Sequence, residues 1–301
     1  MKNIAFLLLL VGLLFTACED IVDIDLDEGS VEFVVDAWIN TDTVPQVIKL
    51  RTTAPFFSNA FTPVVSGATV TITDQDGEVF SFIEEDATGN YVWTPEPGER
   101  FGTIGNDYFL EISLDDKIYT SFSQLNATVP VDSIVSEFRE ESLGEPEGYY
   151  AEFFGRDNPG LGDAYWIKAF KNGIFLNKPQ EINIAFDAGP SAGAEVDGLI
   201  FITPIREAIN RVPDSGDDAI DDLDNPPFEL GDTIRVEILS ITQEAFTYLE
   251  RVRIQTTLGD AALFAEPPAN VPTNIISSET TENPQGFFVV SEMSSLEDIV
   301  E

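Results

Sequence analysis

From Val31 onward, apolar and polar positions alternate with a period of two, in short runs separated by turn residues. The runs are "VEFVVDAWIN", "QVIKLRTT", "ATVTITD", "EVFSFIEE", "NYVWTP", "DYFLEISL" and "KIYTSFSQL". They are rich in β-branched and aromatic residues, the pattern of strands with one buried face. Asp76-Gly77, between the third and fourth runs, predicts a hairpin because glycine supplies positive φ without a steric cost. Asp115-Asp116 takes the same place between "FLEISL" and "KIYTSF". Seven such runs over residues 31–128 predict an immunoglobulin-like β-sandwich, although the Cys…Trp…Cys pattern of antibody domains is missing.

"ATVPVDSI", with Pro130, interrupts the strand pattern and predicts a boundary near residue 129. Beyond it, residues 129–301 read as a second β-rich domain through "IVSEFRE", "YYAEFF", "AYWIKAFKNG", "EINIAF", "LIFITPI" and "TIRVEILSI", with Lys171-Asn172-Gly173 as another hairpin turn. A single segment changes period. From Thr242 to about Leu258, Ala245, Leu249, Val252 and Thr256 step by four, three and four along one face. Thr242 suits the N-cap, Glu244 the positive end of the helix dipole and Gly259 the stop. The expected fold class is mainly β: an N-terminal immunoglobulin-like sandwich, then a β-rich domain with one helix packed on its sheet.

The chain before Val31 obeys different rules. Lys2 precedes an almost wholly apolar run from Ile4 to Phe15. That run is too short to span a bilayer and suits a signal peptide, here residues 1–17. "LFTAC" has the form of a bacterial lipobox: an apolar residue, spacers, a small residue, then cysteine. Cys18 is the only cysteine, so no intramolecular disulfide explains it. It is the expected lipidation site, and several acyl chains on one residue make a stable anchor. Residues 18–30 form an acidic tether. Asp23, Asp25 and Asp27 alternate there, but Gly29 falls one place late for an EF-hand loop and Val34 stands where its closing glutamate belongs.

Composition narrows the chemistry. The formal charge is −39, with acids spread along a chain that is 43% apolar and 11% aromatic. The balance predicts a folded, strongly hydrated body and argues against a nucleic-acid partner, because phosphate neutralisation needs Lys and Arg. There is no histidine, which excludes a Ser-His-Asp triad and imidazole-bound zinc. A carboxylate-dependent glycoside hydrolase remains as a weaker alternative. With 54 acids some pair meets its spacing by chance, and none lies in a recognisable catalytic motif. The loop at residues 213–227, "PDSGDDAIDDLDNPP", reads as a solvated acidic loop. Calcium there has dense oxygen ligands in its favour but no defined spacing. No cofactor is expected.

Taken in order, several segments resemble one known family. They are "CEDIVDIDLDEGSVEFVVDAWI", "IKLRTTAPFFSNAFTPVVSGATVTITDQDG", "YTSFSQLNATVPVDSI", "DNPGLGDAYWIKAFKNG", "GDTIRVEILSITQEAFTYLERV" and "NVPTNIISSETTENPQGFFVVSE". The chain resembles the Bacteroidota lipoproteins catalogued as domain of unknown function 4249, DUF4249, over nearly all of its mature length. "SSETTENPQGFF" is more polar than the family's usual approach to its final aromatic strand. The acids after Cys18, Glu19 and Asp20, look like the export signal of surface lipoproteins of that group.

The resemblance implies an outer-membrane lipoprotein facing the cell exterior, without established enzymatic activity. It implies an accessory role beside a TonB-dependent receptor β-barrel in nutrient uptake. Aromatic pairs expected in loops, Phe56 and Phe57 in "TTAPFFSNAF" and Tyr149 and Tyr150 in "EGYYAEFF", are candidate contacts, with core packing as the leading reading of each. A structural or adhesive surface protein is the alternative.

Overall fold

A computed structural model describes residues 30–54, 61–142, 145–214, 225–257 and 270–301. Its main unit comprises Val31–Ala54 and Ser58–Glu301. Of the other, Met1–Ser30 with Pro55–Phe57, Ser30 alone is among the described residues.

The alternating runs are strands. β1 (Phe33–Asn40), β2 (Gln46–Thr52), β3 (Thr69–Asp74), β4 (Val79–Glu84), β5 (Asn90–Trp93), β6 (Asp107–Leu114) and β7 (Lys117–Gln124) follow the predicted order. The turns are where the sequence puts them: Gly77 has φ 89° and Asp115 φ 53°. With two later strands, β14 (Ile276–Ser277) and β15 (Gln285–Ser291), these strands belong to one continuous nine-stranded sheet, ordered β14-β7-β6-β3-β4-β5-β2-β1-β15. Where an immunoglobulin-like sandwich has two separate sheets, here β4 pairs with β5 and β5 with β2, so the ladder runs on without a break.

The sheet curls around a core to which both halves contribute, including Val35, Ile39, Leu50, Ile72, Phe82, Tyr91, Tyr108, Leu110 and Phe288. Phe33 and Tyr119, on strands far apart in the sheet order, bring their rings within 4.3 Å. Fully burying a large apolar side chain is worth about 1.5–3 kcal/mol, and the alternation supplies one every second residue.

Two late strands, β14 (Ile276–Ser277) and β15 (Gln285–Ser291), enter this sheet from beyond residue 129. β15 lies parallel to β1, with Ala37 opposite Phe288. Its other edge faces β7 and is closed by side chains. The Asn274 amide donates through Nδ2 to Phe288 O at 2.7 Å, and its Oδ1 accepts from Phe288 N at 2.9 Å. Ser123 Oγ accepts from Val290 N at 3.0 Å, and Thr273 Oγ1 donates to Gly286 O at 2.7 Å. An open strand edge would otherwise present unpaired backbone groups. Gly286, at φ 95°, passes so close to β1 that an added Cβ would lie 1.9 Å from Val35 O. Only glycine takes that conformation there without strain.

The second sheet contains β10 (Ala164–Lys171), β11 (Ile174–Phe175), β12 (Asn183–Phe186), β13 (Thr233–Ile241) and β16 (Met293–Ile299). β8 (Ser133–Arg139) and β9 (Gly148–Phe154) make a separate hairpin. Asn172 at φ 52° and Gly173 at φ 78° turn β10 into β11 as predicted. The core here gathers Phe153, Tyr165, Ile167, Phe201, Val236 and Ile238. Around the exposed Pro130, Val129 and Val131 are buried in this core, and Thr128 Oγ1 donates to Ile238 O at 3.1 Å.

"LIFITPI" is not a strand. Ile200 makes a single bridge with Arg156, and a one-turn helix, α1 (Thr203–Glu207), follows. Pro204 explains the change, because its missing N–H and fixed φ suit the first turn of a helix and spoil a ladder.

The predicted long helix forms as α2 (Gln243–Thr257). Thr242 caps it, its Oγ1 accepting from Ala245 N at 3.2 Å. Its buried side chains, Ala245, Phe246 and Leu249, meet Phe287 and Val289 of β15 and Ala164 and Ile184 of the second sheet in a third core. β15 is therefore buried on both faces, which accounts for the unbroken apolar run "FFVV".

Candidate ligand-binding cleft

Residues on the outward phase of the strands build a cleft where α2 meets the two sheets. In β1, Val35, Ala37 and Ile39 point into the first core, which sends Trp38 outward. In β10, Tyr165, Ile167 and Ala169 point into the second core, which sends Trp166 and Lys168 to the opposite face. The two indoles meet edge to face with ring centroids 4.8 Å apart. Tyr248 of α2 lies 6.1 Å from Trp38 and 4.8 Å from Phe287. Such aromatic pairs add about 0.5–1.5 kcal/mol beyond their burial.

The rings line a solvent-open cleft of about 220 Å³, walled also by Phe175, Leu176, Asn177, Glu181, Ile182, Leu249 and Val252. A short 3₁₀ turn, Pro179–Glu181, closes one side. Its Glu181 carboxylate accepts from Lys178 N at 2.8 Å and Val212 N at 2.9 Å, so its oxygens serve the loop. Arg253 Nη1 donates to Ile182 O at 3.2 Å and ties the helix to that wall.

Lys168 packs against two of these rings without lining the cleft. Its Nζ stands 4.0 Å from the centroid of the Trp166 ring and 5.7 Å from that of Phe175. Burial pulls its pKa down to about 8, against the opposing pull of Glu237 and Asp36. Both of those carboxylates are engaged elsewhere: Asp36 pairs with Lys49 at 3.1 Å, and Glu237 pairs with Arg235. Among the described residues no carboxylate lies within ion-pair distance of Lys168 Nζ.

A larger concavity, about 650 Å³, lies over the outer face of β3, β6 and β7, where Phe109 and Phe122 stand half exposed with rings 5.5 Å apart. The sheet is its floor, and Thr242 and Glu244 at the head of α2 and Thr273, Asn274 and Ile276 stand at its sides. The smaller cleft is lined by four aromatic side chains with Asn177 and Glu181 as its polar residues, the make-up of a small-molecule site.

The profile of the family described as a domain of unknown function, DUF4249, matches residues 19–297. The chain belongs to the DUF4249 family. No curated protein matches it in sequence.

This DUF4249 member also carries a carboxylate cluster at the start of β10. Asp157 accepts from Tyr165 Oη at 2.8 Å and Gly198 N at 3.0 Å, Asp187 from Gly162 N at 2.7 Å, and Asp197 from Gly160 N at 2.7 Å. Asp163 sits among them with no hydrogen bond to its own carboxylate among the described residues. Burial, and then Asp157, Asp187 and Asp197, push its pKa up to about 6. Among the described residues no group of three or more His, Cys, Asp or Glu side chains is disposed to hold a metal ion.

Of the residues singled out from the sequence, Cys18, Glu19, Asp20, Phe56 and Phe57 lie outside the described residues, as do the aspartates of the 213–227 loop other than Asp214. Tyr149 and Tyr150 are in strand β9 rather than in a loop. Tyr150 is buried, donating to Pro146 O at 2.9 Å beneath the Arg139 guanidinium, and Tyr149 packs edge-on against Phe138. Their ring positions serve the packing of the hairpin. The cleft residues Trp38 and Trp166 were not singled out, yet a signal existed: each is a tryptophan on the polar phase of its strand, beside Asp36 and Lys168.

Proposed function

We propose that this DUF4249 protein works by binding rather than by catalysis: a lipid-anchored surface protein of the outer membrane, held through Cys18, that serves a TonB-dependent nutrient-uptake system and keeps its cargo in the aromatic cleft. The observation that carries the reading is the cleft itself, a preformed cavity with four aromatic walls, Trp38, Trp166, Phe175 and Tyr248. The buried acids near it are taken up by structural hydrogen bonds, as in Glu181, which leaves a shape suited to holding a molecule. The lipobox at Cys18 and the acids after it support the location, and the strong negative charge suits a hydrated body outside the cytoplasm.

The test compares a deletion strain complemented with the wild-type chain or with Trp166→Ala, grown on single limiting nutrients. A nutrient-specific defect that Trp166→Ala fails to rescue, despite wild-type protein levels, supports the reading. Full rescue by Trp166→Ala removes the cleft from the function. Purification in mild detergent should bring down a β-barrel receptor in stoichiometric amount, and intact mass should show acyl chains on Cys18. An unacylated chain that retains Met1 refutes the anchor.

A further inference from the structure

We propose that the larger concavity, over β3, β6 and β7, is a second binding site whose ligand is an uncharged oligosaccharide, stacked on Phe109 and Phe122 and hydrogen-bonded along the row Thr71, Glu111 and Thr120. It shares no lining residue with the aromatic cleft. Its volume, about 650 Å³, falls within the range of ligand sites, about 300–1,000 Å³.

Strand register builds the floor. Tyr108, Leu110, Ile112 and Tyr119 point from β6 and β7 into the first core, so the alternate residues stand on the outer face. Pairing sets them in two rows across the strands. In one row Thr73 lies opposite Phe109, and Phe109 opposite Phe122. In the next, Thr71 lies opposite Glu111, Glu111 opposite Thr120 and Thr120 opposite Ile276. An aromatic row therefore runs beside a polar one. Phe109 and Phe122 are 48% and 51% exposed, and adjoining exposed rings mark a contact site.

The side walls are committed to the fold and the floor is not. Thr273 and Asn274 hold the backbone of β15. Among the described residues, no hydrogen bond or ion pair engages the side chains of Thr71, Thr73, Glu111, Thr120 or Glu244. Strands lie about 4.8 Å apart, so the row from Thr71 to Thr120 spans about 10 Å. An ammonium is a point charge and meets one group of that row. A sugar chain carries hydroxyls along the whole of it. They donate to Glu111, which only accepts, and exchange hydrogen bonds with the threonines, which do both. The C–H faces of its rings lie against the negative faces of the phenyl rings beside the row. The charged lining residues are Glu111 and Glu244, with no lysine or arginine among the described residues, so an acidic sugar is repelled.

The experiment is isothermal titration calorimetry on the full mature chain in detergent. The uncharged probes are maltohexaose, cellohexaose, xylohexaose and mannohexaose; the charged ones are oligogalacturonate and hexalysine. At least one uncharged probe should bind with a dissociation constant below about 1 mM, and neither charged probe should bind as tightly. Phe122→Ala and Glu111→Ala should each weaken that binding at least about tenfold, for Glu111 the lower end of what a charge-assisted hydrogen bond supplies. Both side chains are exposed, so their removal leaves the core intact. Thr120→Val keeps the shape, removes only the hydroxyl and should weaken binding about twofold to tenfold. No binding of any uncharged probe up to about 10 mM overturns the inference. Tighter binding of oligogalacturonate or hexalysine overturns the choice of an uncharged ligand. Sugar binding that survives Phe122→Ala and Glu111→Ala but is lost in Trp166→Ala belongs to the aromatic cleft and overturns the assignment to this site.

Discussion

Replacing Asp163 by Asn gives a stability change whose sign and pH window follow from the cluster at the head of β10. In the folded chain, burial and the charges of Asp157, Asp187 and Asp197 raise the pKa of this carboxyl from 3.8 to about 6. The folded state therefore holds the proton more tightly than the unfolded state. Stability falls as the pH rises from about 4 to about 6, and above that the full penalty of the ionised group is present. Two pH units correspond to at most about 3 kcal/mol. Asp163 is only half-buried and solvent screens it, so we expect about 1–2 kcal/mol.

The amide keeps the shape and loses the charge, and no hydrogen bond to the carboxylate is given up among the described residues. Asp163→Asn should stabilise the protein by that amount at pH 7.5 and by close to nothing at pH 3.5. Asp157 is also shifted upward by burial, so the transition between the limits should be broad. Urea unfolding followed by tryptophan fluorescence, run on both proteins from pH 3.5 to 7.5, measures the difference curve. A flat curve, or a gain at pH 3.5 as large as at pH 7.5, would refute the electrostatic argument.

Asn274→Ala should destabilise by about 2–4 kcal/mol in the same assay at constant pH, because it strips partners from both the N–H and the carbonyl of the buried Phe288; a loss under 0.5 kcal/mol would mean the seam is not held by that side chain. Gly286→Ala should cost about 3 kcal/mol or more, or prevent folding, since the Cβ meets Val35 O in a positive-φ conformation; thermal unfolding checks it, with Gly77→Ala, which meets nothing within 4 Å, as the milder control. Thr242→Ala removes the cap of α2 and should cost about 1 kcal/mol, read from the urea midpoint.

The strands were legible because alternation is local. β1 to β7, β10 and β13 lie where the period of two puts them, and Thr242, Ala245 and Leu249 announce α2. Failures arose where a local pattern met a non-local demand. "LIFITPI" is apolar because Phe201 and Ile205 enter the second core, while Pro204 turns the backbone into a helix. β16, at a sheet edge, carries exposed Glu297, Asp298 and Ile299, so its periodicity is blurred. No period tells a strand which partner it will take, which hid the parallel pairing of β15 with β1. The cleft was half legible. Tryptophans on the polar phase mark a second buried face, but that Trp38 and Trp166 share one depends on how the two sheets meet.

The union of β1 with β15 has a consequence for how the chain can be made. More than two hundred residues separate Ala37 from its neighbour Phe288. A polypeptide emerging N-terminus first holds β1 with one side vacant until nearly its last residues are released, and such long-range closure is slow. Its early half would wait as a partially formed, adhesive intermediate, and a nonsense codon after residue 284 would ruin the beginning of the molecule as surely as its end.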